Sequence, residues 1–451
     1  MASTYLSETT LGTATNATKF TFSAWVKTSF VGAGGSNDYQ LLLGSKPDHT
    51  SGREGVWIWQ NSELAFYNYP SAGGSAIVTR TSAKLRDVNG WYHIVVTGDA
   101  SQSGTDKLKF YINGELQTAF DEDNRSNFAT IAHGIQDTSS EVTIGGYSGA
   151  DYYLDGYMSH VHFTDGYAYA ASTFGSTDAT TGEWKINTSP SVTYGNNGFF
   201  ILKDGNSVTD QSGNSNNFTV AGGNLTNSED CPSDVFNTWN RNLGNNLIPG
   251  FTFSNANNTV DFATPANDSW GFSNLGAFSG KYYAEFKVSN FSNNSHYVGV
   301  KFFDGIMSTD NFKNTIFLRF AKSGNTNQIY SGFTSGFIQS NLDSFSDGDI
   351  IGIAVDIDNG TVNFTRNGAQ YATQVTGQAS NFAGKQLQFA IFGEGHGSQS
   401  GRTFKIKANF GNGYFATTAI SSEGTNASNI GKFEYDVPSG FTAFSTKGIN
   451  S

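Results

Sequence analysis

Residues 350–368 read IIGIAVDIDNGTVNFTRNG, and the fold of the chain turns on how this stretch is read. Successive side chains of an extended chain point to opposite sides. Ile351, Ile353, Val355 and Ile357 therefore share one apolar face, as do Val362 and Phe364. Two Asn-Gly pairs, Asn359-Gly360 and Asn367-Gly368, stand eight residues apart. Both residue types tolerate the left-handed backbone that tight hairpin turns demand. The stretch predicts a three-strand antiparallel meander, with a middle strand of about 20 Å between its turns. Far upstream, KLKFYINGE at 107–115 repeats the device. Leu108, Phe110 and Ile112 fall on one face, Lys107, Lys109 and Tyr111 on the other, and Asn113-Gly114 closes the hairpin. One face is expected to be core and the other wet.

The same alternation, punctuated by Gly, Asn and Ser, recurs through both halves. In the first it marks 20–30, 64–69, 91–98, 108–117 and 141–147; in the second, 281–289, 296–303, 315–321, 387–393 and 404–411. Helical periodicity is nowhere persuasive. A sheet with one apolar face needs a second layer to cover it, so two such sets predict two β-sandwiches. The length, 451 residues, suits two or three domains. Abundant glycine (53), scarce proline (7), 14% charged and 14% aromatic residues fit a folded strand-and-turn protein and exclude a disordered one.

A net charge of −12 and a pI near 5.0 disfavour nucleic acid and anionic lipid as partners, since both are polyanions. The lone cysteine, Cys231, admits no intrachain disulfide, which suits assembly in a cytoplasm. The start, MASTYLSETTLG, lacks the basic and apolar regions of a secretory signal, and aliphatic runs such as 350–355 are far shorter than a membrane span. Membrane insertion is not expected.

Residues 348–368, GDIIGIAVDIDNGTVNFTRNG, resemble the signature strands of SPRY domains. FTFSAWVK at 20–27, NGWYHIVVTGD at 89–99 and KLKFYINGE resemble, in order and spacing, laminin G-like domains of the concanavalin A-like superfamily. The stretches 154–187, 194–225 and 231–240, with YLSETTLG at 5–12, ANFGNGYFA at 408–416 and YDVPSGFTAFST at 435–446, are similar to a module of virion and tail-fibre-like proteins of marine bacteriophages. The resemblance implies an all-β chain of two concanavalin A-like, jelly-roll β-sandwiches. A laminin G-like sandwich is expected at 1–185, a short connecting module at 186–240 and a SPRY-like sandwich at 241–451. It also implies a bacteriophage virion structural protein, tail fibre-like or decorating, located in a virion assembled in the host cytoplasm. Its partners would be other virion proteins and a host cell-surface glycan or receptor. Related fibres are often trimers, which implies a homo-oligomer, although no heptad repeat is visible.

Catalysis is not expected. Some concanavalin A-like sandwiches are glucanases, whose acid and nucleophile are carboxylates at alternate strand positions. No E-x-D-x-x-E of that kind occurs; Asp356 and Asp358 alternate but lead into the Asn359-Gly360 turn and match the SPRY pattern. A polysaccharide depolymerase on the same scaffold is the alternative, and a purely architectural capsid or tail cement protein is a third reading. His160 and His162 share a strand face as two metal ligands would, yet no nearby carboxylate or cysteine completes a zinc set, and they read as ordinary surface or core histidines. No serine-histidine-acid triad is legible, and the glycine-rich run at 31–38 lacks the lysine of a phosphate loop. No cofactor is expected. Calcium is compatible with the loop acids Asp99, Asp106, Asp121 and Asp123, which flank turns of the first half, but they read as solvated and no metal site is assigned.

Recognition is the better reading, because loops at sandwich ends are exposed and held by a rigid scaffold. Two loops stand out. The first, 147–156, offers Tyr147, Tyr152 and Tyr153 beside Asp151; the second, 329–341, offers Tyr330, Phe333 and Phe337 between glycines. Aromatic faces beside carboxylates and amides suit sugar rings, whose C–H face stacks while the hydroxyls hydrogen-bond. A protein ligand fits SPRY-like loops equally well, and core or subunit contact is the competing account of the same rings.

Overall fold

The computed structural model describes residues 4–35, 38–45, 54–68, 77–131, 141–146, 152–203, 205, 207–242, 250–263, 268–292, 296–305, 312–322, 327–395 and 402–451. The chain divides into two compact units, Met1–Asn227 and Ser228–Ser451. Both are built of antiparallel sheets, and the fold is all-β as the alternation implies. Among the described residues, α-helix is confined to Ala379–Phe382 and Thr446–Ile449, and no helix is long and apolar enough to cross a membrane.

In the first unit an eight-stranded sheet runs, in spatial order, Phe120–Glu122, Ile77–Lys84, Glu63–Asn68, Glu54–Ile58, Gln40–Ser45, Val142–Ile144, Tyr5–Glu8 and Thr219–Gly222. A six-stranded sheet runs Phe199–Ile201, Gly156–Asp165, Lys19–Thr28, Tyr92–Asp99, Leu108–Ile112 and Glu115–Leu116. Alternate residues of both sheets, among them Val56, Leu64 and Phe66 from one and Phe20, Phe22, Ile94 and Phe110 from the other, form a single buried core. The expected connecting module at 186–240 is divided between the units. Phe199 and Ile201 enter the first core, and the Thr219–Gly222 strand pairs with Tyr5–Glu8, so the module as far as Asn227 completes the first sandwich's own sheets.

The second unit repeats the plan. One sheet runs Phe251–Ser254, Thr259–Phe262, Phe404–Asn409, Lys281–Ser289, Ile350–Asp356, Thr361–Arg366 and Ala369–Gln370, with Thr442–Ala443 also paired, in parallel, to Lys281–Ser289. The other runs Ser269–Phe272, Gln386–Gly393, His296–Phe303, Thr315–Phe320, Gln328–Ser331 and Gly336–Gln339. The meander forms as read: Ile351, Ile353, Val355, Ile357, Val362 and Phe364 all lie in the core. Its two turns differ. Asn367 (φ 50°) and Gly368 (φ 79°) make a two-residue primed turn, whereas Asp356 pairs with Thr361 and leaves a four-residue loop in which only Gly360 (φ 64°) is left-handed.

The expectation of a wet outer face fails at the Leu108–Ile112 hairpin. Residues 166–195 fold back across the outside of the six-stranded sheet, where Ala171 and Phe174 pack on Val95, with Tyr111, Tyr169, Trp184 and Val192 around them. Gly114 makes this possible: a Cβ there would sit 2.4 Å from the Trp184 ring. The sandwich is therefore three layers deep at this face.

Candidate functional site

On the outside of the first unit's eight-stranded sheet, the alternation that buries Val56, Ile58, Leu64 and Phe66 leaves Trp57, Trp59, Ala65 and Tyr67 pointing away from the core. Pairing sets Leu41, Trp57, Ala65 and Arg80 side by side across four strands. Tyr39 and Tyr152 close the group. Tyr39 meets the Trp59 ring edge-on at 4.7 Å and Tyr152 at 5.7 Å, Tyr152 meets Trp57 at 5.6 Å, and Trp59 lies 6.1 Å from Tyr67. Such edge-to-face arrangements are favourable because ring edges are positive and ring faces negative. Tyr39, Trp59, Tyr67 and Tyr152 are half-buried, so their rings are rigid yet reachable.

Charge borders this platform on one side. The Arg80 guanidinium sits 6.0 Å over the Trp59 ring and donates to Glu63 (2.9 Å) and Glu122 (3.2 Å), while Lys84 lies 3.6 Å from Glu63. Burial opposes the charge on Arg80, but the two carboxylates outweigh it and hold its pKa above the usual value. Burial, helped by the Tyr152 hydroxyl, pushes the Tyr39 hydroxyl up, so it remains a neutral donor. The Trp57 indole N–H is buried without an acceptor among the described residues. Rigid rings, a neutral phenol and paired charges suit an uncharged polyhydroxylated surface.

Of the residues singled out in the 147–156 loop, Tyr152 joins this platform. Tyr153 instead lies 6.2 Å from Tyr5 and against Gly146, and Tyr147 and Asp151 lie outside the described residues. In the second loop, Tyr330 and Phe337 are cross-strand partners on the outer face with rings 5.4 Å apart, and Arg319 lies 5.3 Å over Phe337. Phe337 and the adjacent Ile338 are exposed on the edge strand Gly336–Gln339. Phe333 turns the other way and packs with Phe302 and Phe382 against the core. Tyr39, Trp57, Trp59 and Tyr67 were missed by the loop-centred reading. The signal was there in VWIW at 56–59, where tryptophans occupy the alternate positions that a solvated sheet face fills with polar residues.

The acids considered for calcium are each engaged locally. Asp99 accepts from Ser101, Gln102 and Lys19; opposed by its partial burial, these bonds still hold its pKa down to about 2. Asp106 meets Lys109, Asp121 meets Ser82, and Asp123 meets Arg125. Among the described residues no three metal-binding side chains gather. Asp356 accepts from both the backbone and side-chain N–H of Asn359 and pairs with Lys281, and Asp358 accepts from Gly280 N–H, so both carboxylates serve their turn. His162 is buried between Phe174 and Phe200 and bonds the Tyr194 hydroxyl; burial holds it neutral. His160 bonds Ser159 at a bulge in its strand.

Among the described residues three serine-histidine pairs have the spacing of nucleophile and base, Ser159 with His160 (2.8 Å), Ser292 with His296 (3.2 Å) and Ser23 with His93, the last with Oγ and Nε2 2.9 Å apart. The Trp184 indole N–H donates to His93 Nδ1 at 3.0 Å, which places the ring proton on Nε2, donated to Ser23. His93 is thus in the tautomer that cannot accept the serine proton, and both residues are buried. Burial lowers its pKa to about 3. The pair ties the six-stranded sheet to the covering segment.

Residues 2–170 match the model of the concanavalin A-like lectin/glucanases superfamily, and residues 250–406 match that of the SPRY domain. The chain therefore carries a laminin G-like domain followed by a SPRY domain, modules that generally mediate carbohydrate or protein interactions. Neither match shows a catalytic family. Among solved structures, the chain is similar to the SPRY domain of human HERC1 (20% identity, 33% of this chain and 86% of that one, TM-score 0.27). It is also similar to the TRIM65 PSpry domain (13%, 38% and 91%, TM-score 0.29) and to a heptameric SAP-like pentraxin from Limulus polyphemus (12%, 41% and 86%, TM-score 0.28). No curated protein matches.

Proposed function

We propose that this protein is a non-catalytic structural and adhesive component of a bacteriophage virion, whose first sandwich contacts host-surface glycan through Tyr39, Trp59, Tyr67 and Tyr152, with the buried Trp57 supporting Tyr152 from below. The observation that carries the glycan half is the platform itself: half-buried rings on the sheet face that the core does not use, bordered by paired charges. The virion half rests on the likeness of 154–240 and of both ends of the chain to phage tail-fibre-like proteins. The exposed edge strand bearing Phe337 and Ile338 favours, as a second contact, a neighbouring virion protein that pairs along it.

Labelled full-length protein, incubated with host cells and with their extracted envelope polysaccharide, tests the reading. Trp59→Ala combined with Tyr152→Ala is expected to weaken binding at least tenfold while the melting curve of the second unit stays in place. Equal binding by the variant refutes the glycan site. Absence of the chain from purified particles, by mass spectrometry, refutes the virion role.

A further inference from the structure

The strand Lys281–Ser289 reads KYYAEFKVS, and its alternation sends Tyr282, Ala284, Phe286 and Val288 into the core and Tyr283, Glu285 and Lys287 outward. A glutamate in that position is ordinarily solvated. Glu285 is 0% exposed, because the C-terminal arm from Gly411 onward folds over this face and packs Ile430, Phe433, Val437 and Ala443 on Tyr283 and Ala354.

The Glu285 carboxyl group fastens the arm directly. The backbone N–H of Tyr435 donates to Oε1 at 2.8 Å and that of Glu434 to Oε2 at 2.9 Å, while the Tyr283 hydroxyl donates to Oε1 at 3.2 Å and Asn409 Nδ2 to Oε2 at 3.3 Å. Asn409 strengthens the junction by donating to Lys432 O, also in the arm. The cross-strand partner of Glu285 is Gly352; a side chain there would strike the Tyr283 hydroxyl at 2.6 Å, so the glycine leaves room for that hydroxyl. All four donors are neutral. Of the charged groups on adjoining elements, Lys287 and Lys407 stand opposite each other one step further along the strands, Lys432 pairs with Glu229, and the Glu434 side chain accepts from Ser421. Tyr435 is held neutral by burial and by the nearby acids Glu434 and Glu285.

We propose that Glu285 is a proton-operated latch: with its carboxyl protonated the C-terminal arm lies closed over the sheet, and loss of that proton loosens the arm. A buried carboxylate without a cationic partner favours its neutral form. Burial raises the Glu285 pKa from 4.5 to about 7, against the pull of the four donors. The added proton has a place to go, because the Tyr283 hydroxyl is the one neighbour able to turn from donor to acceptor. With the arm undocked, Glu285 is hydrated and returns to its ordinary value, so docking takes up a proton between pH 4.5 and 7. The docking equilibrium then falls about tenfold per pH unit across that window, roughly 300-fold in all, and levels off above it.

Hydrogen exchange of the full chain between pH 5.5 and 8, corrected for intrinsic rates, reads the latch. Amides of 424–445 are expected to lose at least tenfold in protection from pH 5.5 to 7.5, while those of 351–355 do not, and Glu285→Gln should remove the pH dependence. Flat protection of the arm in the wild type, or an unchanged fall in Glu285→Gln, overturns the proposal. A wild-type measurement guards against a variant that does not fold. Glutamate-selective carboxyl-carbon NMR should show one side chain titrating near pH 7, and no midpoint above 6 would equally overturn it.

Discussion

Replacing His93 with glutamine isolates one buried proton acceptor. The imidazole is fully buried, stacked between Trp25 at 5.0 Å and Trp184 at 5.9 Å, and its pKa falls from 6.5 to about 3 by burial. Below pH 6.5 the unfolded chain binds a proton that the folded chain refuses. The stability His93 contributes is therefore present above pH 6.5 and is lost as pH falls toward 3, by about 1.4 kcal/mol per pH unit and about 4.8 kcal/mol in full. His162, in the same unit, is also held neutral by burial and adds a second proton of the same sense. Glu285, in the other unit, acts oppositely, because its raised pKa makes that unit more stable as pH falls from 7 to 4.5. Urea unfolding followed by tryptophan fluorescence separates them, since five of the seven tryptophans lie before Asn227. Through His93 the first unit should lose about 1.4 kcal/mol per pH unit between pH 6 and 4.5, with His162 adding in the same direction, and His93→Gln should remove the His93 share of that slope. Glutamine still accepts the Trp184 N–H, but its smaller side chain costs about 1–3 kcal/mol at pH 7. A wild-type transition that does not move between pH 6 and 4.5, or a variant with an undiminished slope, would refute the reasoning.

Two further substitutions test the cores. Phe382, fully buried and stacked on Phe302 at 3.8 Å, closes the second core; Phe382→Ala should cost about 3–5 kcal/mol in urea unfolding of that unit alone. Asp165, also fully buried, accepts the backbone N–H groups of Thr15 (2.6 Å), Asn16 (3.2 Å) and Asn197 (3.1 Å), pinning two loops. Asp165→Asn turns an amide NH₂ toward those donors and should cost about 2–3 kcal/mol, read as a lower melting temperature of the first unit.

Much of the architecture is legible because strand periodicity is a local property. Ile351, Ile353, Val355 and Ile357 declare their shared face within seven residues, and Asn367-Gly368 declares its turn within two. The recognition site was only partly legible. Tyr152 and Phe337 stand out in glycine-rich loops, but Tyr39, Trp57, Trp59 and Tyr67 come from separate segments and meet only through sheet pairing. Phe333 and Phe337 look alike in sequence and point opposite ways, because a turn separates them.

The alternating pattern by itself determined two β-sandwiches and the residues that fill their cores, since burying one side of a sheet requires nothing beyond neighbours two positions apart. It said nothing of what covers the other side. Only the tertiary structure decided that His93 and Glu285, both at outward positions, would be buried, one beneath Trp184 and the other beneath the backbone of Glu434 and Tyr435. Those covers arrive from 91 and about 150 residues away along the chain, a separation over which no local pattern carries information. Burial is what then sets the charge each group carries.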